Sequence, residues 1–140
     1  MIELIAFDAD DTLWHNEVLY TRTQDRFKRL LSPYHDDDRI DEELYRTEMR
    51  NLARYGYGIK GFTLSMIETA IELTEGSIQG REIGEILAFA RDMLQAPVLL
   101  LDQAEEVVAT LARSHELMLI TKGDLFDQET KIARSGLAPY

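Results

Sequence analysis

Two aspartates one residue apart, Asp8 and Asp10, directly follow a short apolar run near the start of the chain. In an extended backbone, residues i and i+2 lie on the same side, so the two carboxylates would lie together. Two close carboxylates favour a divalent cation, and a site built from oxygen ligands suits Mg²⁺. A second apolar run ends in Thr121, Lys122 and Gly123, which offer a hydroxyl and backbone amides to an anion. A cation, two acids and an anion pocket are together the groups that phosphoryl transfer needs.

The two carboxylates could divide the work of such a reaction. One can attack phosphorus to give an aspartyl phosphate, and the other can protonate the leaving oxygen and then activate water. This prediction depends on both polar clusters lying at the same edge of a sheet. In an open parallel sheet, ligands bind outside the carboxyl ends of the strands, which is where both clusters fall.

The elements that must position these residues follow from the apolar pattern. The runs at residues 2–7 and 116–121 predict two buried strands. Between them, helical periodicity predicts four amphipathic helices that end before Ser32-Pro33, at Gly56, near Gly76 and before Pro97. An extended piece at 97–101 and helices over 104–114 and 125–135 complete the pattern, with Gly136 as a cap.

The order of these elements predicts an α/β fold with a Rossmann-like parallel core and right-handed crossovers. We predict the core over residues 1–14 and 97–140, and a four-helix-bundle cap inserted over residues 15–96. Most sheets have five or six strands, so a core with only two or three predicts a truncated protein.

The composition narrows the choice of partners. The 140 residues include 26 Asp and Glu against 15 Lys and Arg, a net charge of −11, which disfavours nucleic acid and anionic membranes. The absence of cysteine rules out disulfides and thiolate chemistry. The first residues lack a basic signal-peptide region, and no stretch approaches the roughly 20 apolar residues of a membrane span, so a cytoplasmic protein is expected.

The motifs resemble those of a known superfamily. The stretch FDADDTL, residues 7–13, resembles the first motif of the haloacid dehalogenase-like (HAD) hydrolases, and LMLITKGD, residues 117–124, is similar to their second. A helical bundle between the two motifs is similar to the first class of cap in that superfamily. The helix and turn that follow the second motif are also similar, through Gln128, Lys131, Gly136 and Leu137.

The resemblance implies a role for each matching residue. Asp8 would be the nucleophile and a ligand of Mg²⁺, and Asp10 the general acid and base that lends its backbone carbonyl to the metal. Thr121 would bind a phosphoryl oxygen. The dehalogenase branch usually lacks the second aspartate, so Asp10 favours a phosphatase acting on a small phosphorylated metabolite. The third and fourth motifs are not found, Lys131 lies too early to be the third-motif lysine, and the 140-residue chain could be an inactive fragment.

Other functions stay open at this point. A phosphomutase or a phosphonate hydrolase would use the same fold, and a non-catalytic binding module would need no further motifs. A glycosyltransferase-type Asp-x-Asp usually lies deeper in a longer chain. A calcium loop counted from Asp8 fails, because Leu13 and Leu19 occupy its glycine and glutamate positions. The substrate and the oligomeric state are not predicted.

Several polar residues have an ordinary structural explanation. Asp11 is expected to be structural or solvated, Asp124 a helix cap, and Lys122 either a phosphate contact or a solvated side chain. The stretch at 35–38, His-Asp-Asp-Asp, predicts a solvated helix start rather than a metal cluster.

Overall fold

The computed structural model describes residues 2–140 and divides the chain into two compact units. One unit joins the N-terminal residues up to Val18 with Pro97–Tyr140, and the other is Leu19–Ala96. The boundary predicted from the sequence falls after residue 14, whereas the structural boundary falls after Val18. The elements in chain order are β1 (Leu4–Phe7), α1 (Glu17–Leu31), α2 (Asp37–Tyr55), α3 (Ile59–Leu73), α4 (Gly80–Gln95), α5 (Ala104–Leu111), β2 (Glu116–Leu119) and α6 (Leu125–Ser135).

The first unit is a small α/β core, which confirms the predicted fold class. Strands β1 and β2 pair in parallel, with Leu4 opposite Glu116 and Phe7 opposite Leu119. Helix α5 leads into β2, and α6 follows it. The predicted bounds of α6 are confirmed, but α5 ends at Leu111 rather than at residue 114, because the last residues of that stretch form turns.

One face of the sheet packs on the core of this unit and the other does not. The half-buried strand residues, Phe7, Leu117 and Leu119 among them, pack against a cluster that includes Trp14 and Val108. The alternate residues are exposed, and except for Glu116 they are apolar, with Leu4 at 45% and Met118 at 46%. The prediction of fully buried strands is therefore wrong for the described residues, whose helical layer covers only one sheet face.

The second unit consists of amphipathic helices packed around their own apolar core. The predicted ends of the helices are confirmed: α1 ends at Leu31, α2 at Tyr55 with Gly56 as its cap, and α4 at Gln95. Helix α2 begins where Asp36 accepts a hydrogen bond from the Arg39 amide, as acids at a helix N-terminus should. The fully buried apolar residues at its centre are Phe27, Leu31, Ile40, Leu44, Met66, Ala70 and Ile86.

A polar seam crosses the packing of α2 against α3. Asn51 is 2% exposed, and its amide donates to Glu68 Oε2 at 2.6 Å and to Ser65 Oγ at 3.3 Å. Arg50 adds ion pairs to Glu68 and Glu72 at 2.7 and 2.8 Å. Over residues 2–140, no helix combines the length and apolar character that crossing a membrane requires.

Candidate active site

The two polar clusters lie at the same edge of the sheet. Because β1 and β2 are parallel and in register, their carboxyl ends are neighbours, and the Ile120 amide donates to the Phe7 carbonyl at 2.8 Å. Asp8 directly follows Phe7, and Thr121 directly follows Ile120. The parallel pairing therefore brings together the residues that the sequence placed at one ligand-binding edge.

A tight turn after β1 arranges the aspartates. The buried Ala9 carbonyl accepts hydrogen bonds from the amides of Thr12 and Leu13 at 3.1 and 2.8 Å. Asp11 takes a left-handed conformation with φ 59°, which aspartate tolerates better than most residues. Its amide donates to the Trp14 carbonyl at 2.7 Å, so the turn folds the chain back toward Asp10.

Asp8 is the exposed carboxylate of the pair. Its Oδ2 accepts a hydrogen bond from the Thr12 hydroxyl at 2.7 Å, which fixes the orientation of the carboxylate. Among residues 2–140, no side chain of the structure donates to its Oδ1. Asp8 therefore presents an oxygen that can accept a cation or attack an electrophile.

Asp10 is held by three donors. Its Oδ1 accepts from the Trp14 indole Nε1 at 2.8 Å and from the Lys131 ammonium at 3.0 Å. Its Oδ2 accepts from the Gln128 amide Nε2 at 3.0 Å. The side chain of Asp10 is 27% exposed, so this carboxylate is partly withdrawn from water. Asp8 and Asp10 are separated by one residue in the sequence, but Asp8 is exposed whereas Asp10 is partly buried and hydrogen-bonded to three side chains.

Helix α6 supplies two of those donors, and reasoning from the sequence did not assign them to the site. Gln128 and Lys131 are three residues apart and therefore share a helix face, which is the signal that could have found them. Lys131 Nζ also contacts Asn16 Oδ1 at 3.0 Å and Asp127 Oδ2 at 3.6 Å. From its position in the sequence, Lys131 lies too early to be the third-motif lysine, and no partner is predicted for it. In the structure, Lys131 forms an ion pair with Asp10.

The loop after β2 is stabilised by its own hydrogen bonds. The Gly123 amide donates to Thr121 Oγ1 at 3.0 Å, so that hydroxyl still has its own proton to donate. Lys122 is exposed and Thr121 is half-buried. Asp124 accepts from the Asp127 amide at 3.0 Å and caps α6, which confirms the prediction for that residue. The phosphate-binding roles of Thr121, Lys122 and Gly123 stay predictions.

Gly123 also leaves the space that Gln128 fills. A Cβ atom at Gly123 would lie 2.5 Å from Gln128 Nε2 and 3.0 Å from its Cδ. Real Cβ atoms do not approach heavy atoms so closely, so any larger residue would displace the amide that holds Asp10. The glycine therefore has a packing role in addition to any contact with an anion.

Two other predicted polar clusters have structural roles. The Asp11 carboxylate accepts from the amides of Asn16 and Glu17 at 2.8 to 3.0 Å, so its expected structural role is confirmed. The stretch at 35–38 is the start of α2, as predicted, with Asp36 as its cap. Within the part of the chain that the structure describes, no group of three His, Cys, Asp or Glu could hold a metal ion.

The two aspartates fit a divalent cation to different degrees. Asp8 offers a carboxylate oxygen without a donor in residues 2–140, which suits a hard cation. The carboxylate of Asp10 already faces the positive Lys131 ammonium, which makes its oxygens poor ligands for a second cation. The backbone carbonyl that the resemblance assigned to the metal remains the better ligand from Asp10.

Comparisons with known proteins agree with this fold. No protein-family model and no curated protein matches the sequence. A haloacid dehalogenase-like family hydrolase from Xanthomonas campestris matches with a TM-score of 0.92 and 48% identity, over 99% of this chain and 58% of that one. A HAD-hydrolase from Bacillus subtilis, bound to magnesium, matches with a TM-score of 0.63 and 16% identity, over 99% of this chain and 61% of that one.

A third match is the 2-haloacid dehalogenase from Pseudomonas syringae, with a TM-score of 0.60 and 21% identity, over 100% of this chain and 61% of that one. The two matches of low identity show the fold alone. The chain has the HAD-like fold, and the 48% identity to the Xanthomonas protein over 99% of its length supports its membership of the HAD superfamily. It spans 58% to 61% of the lengths of these three proteins.

Proposed function

We propose that the protein containing this chain is a magnesium-dependent phosphatase that hydrolyses a small phosphorylated metabolite in the cytoplasm. The observation that carries the proposal is the difference between the two carboxylates. Asp8 is exposed and presents an oxygen without a donor in the described chain, whereas Asp10 is held by three donors. A nucleophile needs the first arrangement, and a group that transfers protons at a fixed position needs the second.

The proposed reaction has two steps. Asp8 attacks phosphorus, a P–O bond forms, and the bond to the leaving alcohol breaks as Asp10 gives that oxygen a proton. Asp10 then takes a proton from water, which attacks phosphorus, breaks the bond to Asp8 and releases inorganic phosphate. Thr121, Lys122 and Gly123 would receive the phosphoryl oxygens at the start of α6.

Magnesium fits one part of this site. The Asp8 carboxylate and the Asp10 backbone carbonyl are the atoms of this chain that would hold it. When bound, the ion neutralises charge on the phosphoryl group. The Bacillus subtilis protein of the same fold is bound to magnesium, which supports the proposal.

The three hydrogen bonds that hold Asp10 also favour a phosphatase over a dehalogenase. An alkoxide is a poor leaving group unless it is protonated, so phosphate ester hydrolysis gains from a positioned acid. A halide ion is a weak base and leaves without a proton. A second carboxylate held by Trp14, Gln128 and Lys131 therefore has a use in the first reaction and none in the second.

The test is release of p-nitrophenol and phosphate from p-nitrophenyl phosphate, with and without magnesium. We expect magnesium-dependent turnover that falls by more than about 10³-fold in Asp8→Asn. We also expect a fall of about 10²- to 10⁴-fold in Asp10→Asn, because p-nitrophenolate leaves without a proton but hydrolysis of the aspartyl phosphate still needs Asp10 as a base. The matched control is Glu116→Gln, a carboxylate-to-amide change at the opposite end of β2, which should keep full activity. Chloride release from 2-chloropropionate without phosphate release would contradict the proposal and indicate a dehalogenase.

A further inference from the structure

We infer that Gln128 and Lys131 are positioning residues, which together fix the Asp10 carboxylate and select Oδ2 as its proton-transferring oxygen. The inference rests on the proposed function and extends it to two residues of α6 that carry no assigned role. Both act through Asp10 and are not catalytic residues themselves.

The first step is a count of hydrogen-bond acceptor positions on Asp10. Each carboxylate oxygen has two lone pairs. Oδ1 receives the Trp14 indole N–H at 2.8 Å and the Lys131 ammonium at 3.0 Å, so both of its positions are taken. Among residues 2–140, Oδ2 receives the Gln128 amide alone, at 3.0 Å, so one of its positions is left open by these residues. A proton can therefore be exchanged at Oδ2 without breaking any of the three contacts.

The second step concerns the rigidity of the helix that carries the donors. Helix α6 begins at an aspartate cap, and its Gln128 side chain is 2% exposed. Gln128 fills the space that Gly123 leaves, so its amide has little freedom to turn away. The Lys131 side chain is 12% exposed and spans the Asp10 and Asp127 carboxylates at 3.0 and 3.6 Å. Groups held this firmly can keep a reacting carboxylate in one orientation.

The amide of Gln128 can satisfy Asp10 in only one orientation. With Nε2 toward Asp10 Oδ2, the contact is a hydrogen bond at 3.0 Å, whereas the flipped amide would place oxygen against oxygen. In the observed orientation Gln128 Oε1 is buried and accepts no hydrogen bond from residues 2–140. An unpaired buried acceptor lowers the stability of the fold. In the observed orientation, the hydrogen bond from Gln128 to Asp10 therefore outweighs the cost of leaving Oε1 unpaired.

The kinetic test compares Lys131→Met with Lys28→Met. Lys28 is a matched control because it pairs with Asp41 at 3.1 Å, in the other unit of the chain. On p-nitrophenyl phosphate we expect kcat to fall by about 10- to 100-fold in Lys131→Met with KM within about twofold, and part of the loss to return in Lys131→Arg. A kcat in Lys131→Met no lower than in Lys28→Met would overturn the inference.

A second readout does not require turnover. Trp14 is the single tryptophan, so its indole N–H gives one resonance in a ¹⁵N-labelled chain. Asp10→Asn should shift that resonance, because the indole donates to Asp10 Oδ1. If Lys131 fixes the carboxylate, the shift caused by Asp10→Asn should be less than half as large in a Lys131→Met background. Equal shifts in both backgrounds would overturn the inference, and absent turnover in the wild type would count against the proposed function alone.

Discussion

Gly123→Ala tests whether the space beside β2 exists to hold Gln128. The new Cβ would lie 2.5 Å from Gln128 Nε2, which is the end of a side chain and can move when the backbone cannot. The expected response is that Gln128 turns away and loses its hydrogen bond to Asp10 Oδ2, now at 3.0 Å. The substitution lies two residues before α6 and therefore breaks a contact of Asp10 without changing Asp10 itself.

The cost follows from the lost contact. A hydrogen bond to a charged group contributes about 1.5–3 kcal/mol, and a buried amide left without a partner costs a similar amount. Since Gln128 is 2% exposed, water cannot readily replace Asp10 as its partner. We expect the free energy of unfolding of this unit to fall by about 1–3 kcal/mol in Gly123→Ala.

The assay is urea unfolding followed by the fluorescence of Trp14, which lies in the same unit as the substitution. If the overlap with Gln128 causes the loss, Gln128→Ala should remove the effect of Gly123→Ala, with a coupling energy of about 1 kcal/mol or more. The control is Gly84→Ala, where a Cβ on α4 meets nothing within 4 Å and helix propensity should add up to about 1 kcal/mol. Additive effects of the Gly123 and Gln128 substitutions would refute the reasoning.

Two further predictions concern Glu68, whose ion pair with Arg50 is about a third exposed, and Asp11, whose carboxylate accepts from the amides of Asn16 and Glu17. The hydrogen bond from Asn51, followed by that from Arg50, lowers the pKa of Glu68. Its stabilising effect is therefore complete above the unfolded pKa of about 4.3 and is lost as pH falls through the lower folded pKa. The Tm difference between wild type and Glu68→Gln should shrink on going from about pH 6 to about pH 3, and a constant difference would contradict this account. Asp11→Ala should lower the free energy of unfolding by about 1–3 kcal/mol, measured by urea unfolding, because it removes a cap and strains a left-handed backbone. Asp11→Asn keeps one acceptor and should cost less; an equal cost would show that the acceptor is unimportant.

The helices and their ends could be predicted from the sequence because their signals are local. An N-cap such as Asp124 and a C-cap such as Gly56 act on residues within one helical turn, so a helix end can be predicted from the few residues around it. The convergence of the two polar clusters was also predictable, because parallel strands place their carboxyl ends at one edge.

The contacts of Asp10 could not be predicted in the same way. Gln128 and Lys131 are 118 and 121 residues away from it in sequence, and their spacing shows only that they share a helix face. Which face turns toward the site depends on how α6 packs on the sheet. The prediction that the strands are buried was wrong for a related reason. An apolar run shows that its residues favour burial, but it does not show which layer covers them.

The exposed face and edges of the sheet affect how readily two copies of this chain would associate. In the described sheet each strand has a single neighbour, so each leaves one edge of backbone donors and acceptors, beside an apolar surface that includes Leu4 and Met118. Such an edge is a template for strand pairing between molecules. The net charge of −11 opposes that encounter by repulsion, and salt at 0.1 M limits the range of repulsion to about 10 Å. We therefore expect self-association to increase with ionic strength and as pH approaches the isoelectric point calculated from the sequence, about 4.6, where the repulsion is weakest.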